Sequence, residues 1–591
     1  MTRFGSVVAA AIVALLALAP LVLGSFAVGL LNDVGIGALV ALGLVLLTGV
    51  GGLTSFGQAA FVGIAAYASA WLTTTHGASP WFGLLFALAA TGVSACLIGM
   101  LTLRLGGHFL PLSTIAWGLS ISLLFGNIDA LGRHSGLSNI PPLHLGTMSL
   151  TTPESVYYLI WPIFGLAYWF IHNLLNSRPG RAVRSLRGGA TLLASVGADA
   201  FRVRLTLFVT AALLAGISGW LYAHTNRFVS PSPFDLRASI EYLLMAVAGG
   251  LGQLAGALVG AGLVFLVKNS LQDLLPLLSQ RGGQLDGVAF AILFLVLLQH
   301  ARGGMMGFVS RRGQGRPGAP TLPARRPVPA LLRRSLPAPG TPLLAVAGAV
   351  KHFGGLVAVN DVSFAMRAGE IVGLIGPNGA GKSSMFNLIT GTLPMSAGQV
   401  EFLGRDISTA PQRHIARLGM ARTFQHVKLR PKMSLLDNVA CGAYARTRCG
   451  MLASGLRLNR AEEQQIHDEA MRQLTRIGLA DRAHEQAGSL PLGTQRILEI
   501  ARALAADPVL LVLDEPAAGL RRQEKAALGE LLRRLRADGI SILIVEHDMA
   551  FVMKLVDRLV VMNFGAKLVE GPPAEVRANR AVQSAYLGAN P

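Results

Sequence analysis

Nine stretches in the first 300 residues carry no charged side chain, and their lengths limit what this chain can fold into more than any other feature. They are residues 7–31, 34–50, 56–75, 81–103, 109–125, 157–175, 205–223, 242–267 and 288–299. A helix crosses a bilayer core with roughly 20 apolar residues, so the pattern predicts a polytopic all-α membrane domain. The first stretch is too long for the apolar region of a usual signal peptide and reads as a retained span. Charged residues make up 14% of the sequence, against about a quarter in an ordinary soluble protein, which argues against a wholly soluble fold. The deficit is confined to one half: residues 1–300 hold 13 Lys/Arg and 8 Asp/Glu, residues 301–591 hold 38 and 23.

The net charge of +20 divides into +5 before residue 301, +8 in residues 301–340 and +7 after them. Its peak lies in a junction beside membrane segments, where a Lys/Arg excess marks the cytoplasmic side, so the basic balance gives no reason to expect nucleic acid as a partner. The loop 176–204 carries Arg178, Arg181, Arg184, Arg187, Arg202 and Arg204 against one acid, Asp199, and is placed in the cytoplasm by the same rule. Loops 127–156 and 224–241 then face outward, and neither is long enough for an independent domain. Simple alternation would put the arginine-rich segment after Gln299 outside, so something in the last third is not a plain span. Gly249, Gly250 and Gly252 are the candidates: clustered glycines either break a helix where backbone lines a cavity or let helices pack closely. Gly49, Gly51 and Gly52 offer the same choice. The three cysteines, Cys96, Cys441 and Cys449, form no CxxC pair, and neither a disulfide framework nor a zinc site is expected.

Residues 304–341 are rich in Arg, Pro and Gly and too poor in periodic apolar residues to build a core, so they read as a linker between a membrane domain (1–303) and a soluble domain (342–591). In the latter, short apolar strands near 371–375, 510–513 and 541–545 alternate with charged amphipathic helices, the pattern of a parallel α/β sheet. The first strand runs into Gly376-Pro377-Asn378-Gly379-Ala380-Gly381-Lys382-Ser383-Ser384, a complete P-loop. Its glycines let backbone N–H groups wrap phosphates at a helix N-terminus, Lys382 reaches the β and γ phosphates, and Ser383 is suited to magnesium. The second strand ends in Asp514-Glu515, two carboxylates at the edge where open α/β sheets bind ligands. Asp514 is the candidate to orient the metal and Glu515 the general base that polarises the attacking water.

With these motifs in place, residues 342–588 resemble the ATPase subunit of ATP-binding cassette (ABC) transporters. The resemblance implies further roles: Gln425, in Arg422-Thr423-Phe424-Gln425, as a sensor of magnesium and the membrane domain; His547 as a switch histidine; and Phe353 as a ring stacked on adenine. The signature that serves a partner's ATP falls on Leu490-Pro491-Leu492-Gly493-Thr494, with Leu490, Gly493 and Thr494 matching. It departs from the usual Leu-Ser-Gly-Gly-Gln and is closer to the relaxed form of the branched-chain amino acid branch. The membrane half is similar to the M-type permease of the same systems, on the segment from Gly52 to Phe61, the Gly-rich stretch 246–260, and the cytoplasmic loop from Arg181, which looks like a coupling helix.

The resemblance implies an importer in the bacterial inner membrane that binds ATP and Mg²⁺ and moves a small amino acid, branched-chain above all. Urea, short amides and aromatic acids are open alternatives, as is an exporter, although exporters of this superfamily have about six long spans. It also implies a second permease, a second ATPase and a periplasmic binding protein, or else a homodimer. No charged residue lies within the charge-free stretches to serve an ion gradient, which leaves ATP as the energy source.

Overall fold

The structure is a computed structural model that describes residues 16–104, 109–278, 303–307 and 328–587, with the helical positions Ile292, Leu295 and Gln299. The predicted stretch 288–299 and linker residues 308–327 lie mostly or wholly outside the described residues. Two compact units divide the chain: Met1–Leu174 with Phe201–Gly318, and Leu175–Ala200 with Ala319–Pro591.

In the first unit the charge-free pattern gives helices, because a backbone in an apolar medium must satisfy its own N–H and C=O groups. Among the described residues six helices are long and apolar enough to cross a membrane: Ser25–Val50, Pro80–Thr102, Phe109–Asn127, Pro153–Leu175, Ala200–Asn226 and Ala255–Gln272. The expected division between 7–31 and 34–50 is wrong. The break falls at Leu23 and Gly24, and one helix continues through Asn32 and Asp33. Asn32 is tolerated because it turns inward, where its Nδ2–H donates to the Pro153 carbonyl at 2.9 Å.

That helix ends in a π-helical turn, Val45–Val50, and the chain stays non-helical through most of 51–57 before restarting as Gln58–Thr75. A second interruption divides the stretch 242–267 into Leu236–Gly249 and Ala255–Leu278, with Gly250 at φ +119°. The former, 14 residues long, spans about 21 Å, short of a core roughly 30 Å thick. Both readings of the glycines are realised together. They interrupt the helices, and they pack: a Cβ on Gly49 would collide with the Leu251 carbonyl oxygen, and one on Gly249 with that of Gly256. The two interruptions therefore touch each other. The helices also outrun the charge-free stretches, taking in Asp33, Glu241 and Lys268, the last two paired at 2.9 Å. The expectation of charge-free spans fails at these residues, and the case for ATP as energy source rests on the second unit.

In that unit a six-stranded sheet has the order Ala566–Gly571, Arg558–Asn563, Ile371–Ile375, Ser541–Val545, Leu510–Asp514, Met420–Arg422, parallel except for the first strand. Both faces are covered, which is why the central strands are continuously apolar. Strand alternation sends Leu510, Val512, Leu543 and Val545 into one core and Leu511, Leu513, Ile542 and Ile544 into the other. A four-stranded antiparallel sheet, ordered Leu356–Arg367, Pro342–Phe353, Ala397–Phe402, Arg405–Asp406, packs beside the first core. A helical lobe contributes the third core, and Leu331, from the end of the predicted linker, is buried in it with Leu435 and Leu474.

The loop 176–204 is largely part of this unit. Its helix Arg178–Ser185 packs Arg178 at 3.8 Å over the Tyr444 ring and pairs Arg181 with Glu463 at 2.7 Å, the Arg181 side chain being 2% exposed. The following helix, Ala190–Ser195, receives a bond from Lys428 Nζ to Thr191 Oγ1 at 2.8 Å. Arg178 thus finds the Tyr444 and Cys449 carbonyls, and Arg181 and Arg184 the carboxylates of Glu463 and Asp437.

Candidate functional site: a phosphate cradle at the carboxyl edge of the sheet

Parallel strands end on the same side, and that edge gathers the candidate residues. Strand Ser541–Val545 lies between the other two, with Val545 in register with both Leu374 and Asp514. The P-loop after Ile375, the pair Asp514–Glu515 and the turn Glu546–His547 therefore emerge side by side. Gly376, Gly379 and Gly381 adopt φ of +153°, +82° and +92°, which strains any residue with a Cβ. At Gly376 a Cβ would also strike the Met562 carbonyl. Helix Lys382–Ile389 starts at Gly381, so Ser383 and Ser384 stand in its first turn among N–H groups that have no partner within the helix. Asn378 lies at the loop's tip. Lys382 is 5% exposed and its Nζ donates to the Gly376 and Pro377 carbonyls at 2.8 and 2.7 Å, bonds that phosphate oxygens can replace. Burial pulls its pKa down, with Glu515 opposing the shift.

Asp514 is 7% exposed, and its Oδ1 is buried without a hydrogen-bond partner. Desolvation pushes its pKa up to about 6 despite the nearby Arg422. An orphaned carboxylate oxygen beside the phosphate cradle is a good fit for a hard divalent cation. Because its folded pKa is raised, this group stabilises the protein at low pH, and that contribution is lost as pH rises through about 6. Asp514→Asn is accordingly expected to raise the thermal midpoint of the nucleotide-free protein at pH 7.5. The upper limit is about 3 kcal/mol, from a shift of about two units. A lowered midpoint would contradict the desolvated-charge account.

Glu515 follows with φ +48°, a left-handed conformation uncommon outside glycine, fixed by its N–H to the Val545 carbonyl at 2.8 Å and by Arg496 Nη1 to its own carbonyl at 2.6 Å. The strained turn puts its carboxylate between two of the predicted residues. His547 Nε2 lies 2.6 Å from Oε1, and Gln425 Nε2–H donates to Oε2 at 3.3 Å. The structure therefore brings together the P-loop, Asp514, Glu515, Gln425 and His547. Phe353, at the end of its strand, is 46% exposed with Lys351 Nζ at 5.2 Å from the ring centroid, so it is a surface ring and not a core residue. Leu490 is buried, Pro491 is the N-cap of helix Leu492–Leu504, and Gly493 and Thr494 form its first turn. Proline is at home there, since a helix start needs no N–H from it.

Supporting residues were not anticipated. Arg422, 9% exposed, donates to Asn387 Oδ1, Thr390 Oγ1 and Thr392 Oγ1 and stacks between Phe386 and Phe424. Burial lowers its pKa to about 10, with Asp514 and Glu499 opposing. Thr423 Oγ1 accepts the Asp514 N–H at 3.3 Å, and Glu546 Oε1 accepts the Ala517 N–H at 2.6 Å. Arg422 and Thr423 precede Gln425, and Glu546 precedes His547, so proximity to a motif was the available signal.

Residues 26–298 match the family model described as the permease component of branched-chain amino acid transport systems, residues 359–518 that of ABC transporters, and residues 566–590 that of branched-chain amino acid ATP-binding cassette transporters. Over 251 residues the chain is 44% identical to the high-affinity branched-chain amino acid transport ATP-binding protein LivG of Salmonella typhimurium, covering 42% of this chain and 98% of that one. The LivG of Escherichia coli K12 is 42% identical over the same coverage. BraF of Pseudomonas aeruginosa, described in the same words, is 39% identical over 250 residues, again 42% of this chain and 98% of its own. A solved nucleotide-free ATP-binding cassette from an ABC transporter is 30% identical, covering 42% of this chain and 99% of that one, with a TM-score of 0.37. A phosphate cradle with paired carboxylates, joined in one polypeptide to a helical membrane unit, is thus an ATP-hydrolysing cassette fused to its permease, and the chain belongs to the branched-chain amino acid family of ABC transporters.

Proposed function

We propose that the chain imports a small aliphatic amino acid, branched-chain first among them, across a bacterial inner membrane, with its cassette in the cytoplasm. The observation that carries this reading is the pairing, in one polypeptide, of a permease and a cassette that both match branched-chain amino acid systems. In the cassette, Lys382 and the P-loop amides hold the phosphates, and Ser383, Asp514 and Gln425 would hold Mg²⁺, which supplies charge neutralisation at the phosphates. Glu515 takes the proton of the attacking water, and His547, 2.6 Å away, holds that carboxylate in place. Phe353 offers its exposed face to the base.

One chain carries one P-loop, and in such cassettes the signature of a second subunit completes each site. Leu490, Gly493 and Thr494 then serve a partner's ATP. We assign the chain to a complex with a second permease, a second ATPase and a periplasmic binding protein. Proteoliposomes holding the full complex should take up leucine, isoleucine or valine only with ATP and binding protein. Transport at full rate by the fusion and binding protein alone would establish the homodimer instead, and no uptake of any of the three in the full complex would refute the substrate class.

Orientation has its own check. Ser335 is exposed on the strap 328–341 that packs on the cassette unit, and a cysteine placed there should resist an impermeant thiol reagent in intact spheroplasts and react after permeabilisation. Labelling of intact spheroplasts would overturn the cytoplasmic placement.

A further inference from the structure

A cavity of about 670 Å³ lies in the cassette unit where the strap 328–341 meets the helix Arg460–Arg476. Pro508 and Ile540 line it, and both precede their strands, so the cavity sits at the edge of the sheet opposite the P-loop. The strap itself falls between the spans that match the permease and ABC transporter families, 26–298 and 359–518.

Its charges do not balance. Arg333 and Arg334 line it from the strap and Arg472 and Arg476 from the helix, while Arg446, its side chain 6% exposed, stands against Glu469 at 3.3 Å. Three acids, Glu469, Asp507 and Asp538, share the lining with four of these arginines, and Arg446, outside the lining, is the fifth cation. Glu469, 3% exposed, is shared by Arg446 and Arg472, and Asp538 pairs with Arg476. Asp507 Oδ2 accepts the backbone N–H of Arg334 at 2.6 Å. Arg333 has no acidic partner among the described residues. Nη1 of Arg334 and Nε of both Arg446 and Arg472 are buried without an acceptor, and among the acceptors of the same lining Glu469 Oε2 and Gln473 Oε1 have no hydrogen-bond donor. Burial and the crowding of like charge hold Arg334, Arg446 and Arg472 below the usual arginine range. Residues 301–340 contain no Asp or Glu, so the linker itself cannot supply the missing negative charge.

Planar guanidinium donors without acceptors, arranged on two sides of a cavity, match an anion with several oxygens at fixed angles. We propose that this cavity binds a phosphate-bearing anion, a phosphomonoester or diphosphate, which joins the strap to the helical lobe and is separate from the nucleotide site. Arg333 supplies charge from the strap, and Arg472 and Arg476 complete the grip from the helix.

The test uses the full chain in phosphatidylcholine nanodiscs with the P-loop saturated by ADP, titrated with pyrophosphate in a calorimeter. One pyrophosphate per chain is expected. Arg333→Gln, at an exposed position that leaves the fold intact, should weaken it at least fivefold, and Arg333→Gln with Arg476→Gln at least tenfold, with ADP affinity unchanged in both. No binding once ADP is saturating, or binding indifferent to both variants, overturns the proposal. Phosphatidic acid in the discs separates the sources of the phosphate: competition with pyrophosphate assigns the site to a lipid headgroup, and its absence to a soluble anion.

Discussion

Glu515→Gln is expected to lower steady-state ATP hydrolysis by on the order of 10²–10³-fold while ATP affinity stays within about twofold. Glutamine keeps the shape of the side chain and can still meet Gln425 and His547, but it cannot accept the proton from water. The backbone bonds that hold residue 515 at φ +48°, from its N–H to Val545 and from Arg496 to its carbonyl, do not involve the side chain and survive. Lys382→Ala should do the reverse and weaken nucleotide binding itself, because it removes the charge that faces the phosphates. The pair is read by equilibrium ATP binding and steady-state hydrolysis in the reconstituted complex. Near-normal turnover by the glutamine variant would remove Glu515 from the role of base.

The P-loop and Asp514–Glu515 were legible because their chemistry demands particular residues at fixed spacing, next to strands whose unbroken apolar character marks them as buried. Arg422 was not, since nothing in a sequence announces that a cation will be threaded between Phe386 and Phe424 and tied to two threonines and an asparagine. The membrane half divides in the same way. Charge-free stretches gave the helical class, but charge is a poor guide to helix ends. Asn32 and Asp33 mark a boundary in the charge pattern, yet both lie inside one helix, where Asn32 meets the Pro153 carbonyl. The glycine clusters allowed two readings that only three dimensions reconcile, because the chain is interrupted at the very points where Gly49 must admit the backbone of residue 251.

The arginine excess of the loop 176–204, which indicated only a side of the membrane, has a second use in the structure. Arg181 is 2% exposed and its partner Glu463 13% exposed, so the pair is desolvated on one side. Removing one member of such a pair typically costs about 3–5 kcal/mol, because the other charge remains buried without compensation. Arg181→Met should therefore loosen the helix Arg178–Ser185 from the helical lobe, while the nucleotide site, built at the sheet edge from other residues, keeps its geometry. The expected result is uptake below about a tenth of wild type with ATP hydrolysis largely retained, since a loss of that size is more than a factor of ten in the docking equilibrium. Glu463→Met alone should cost at least as much, because that carboxylate also accepts the Arg178 N–H and a bond from Asn459. Arg181→Met with Glu463→Met should recover a large part of the uptake, since replacing both charges by apolar side chains of similar volume is often nearly neutral. If the double variant is no better than either single one, the arginine does more than hold the helix in place, and a structural role for the ion pair is insufficient to explain the loss.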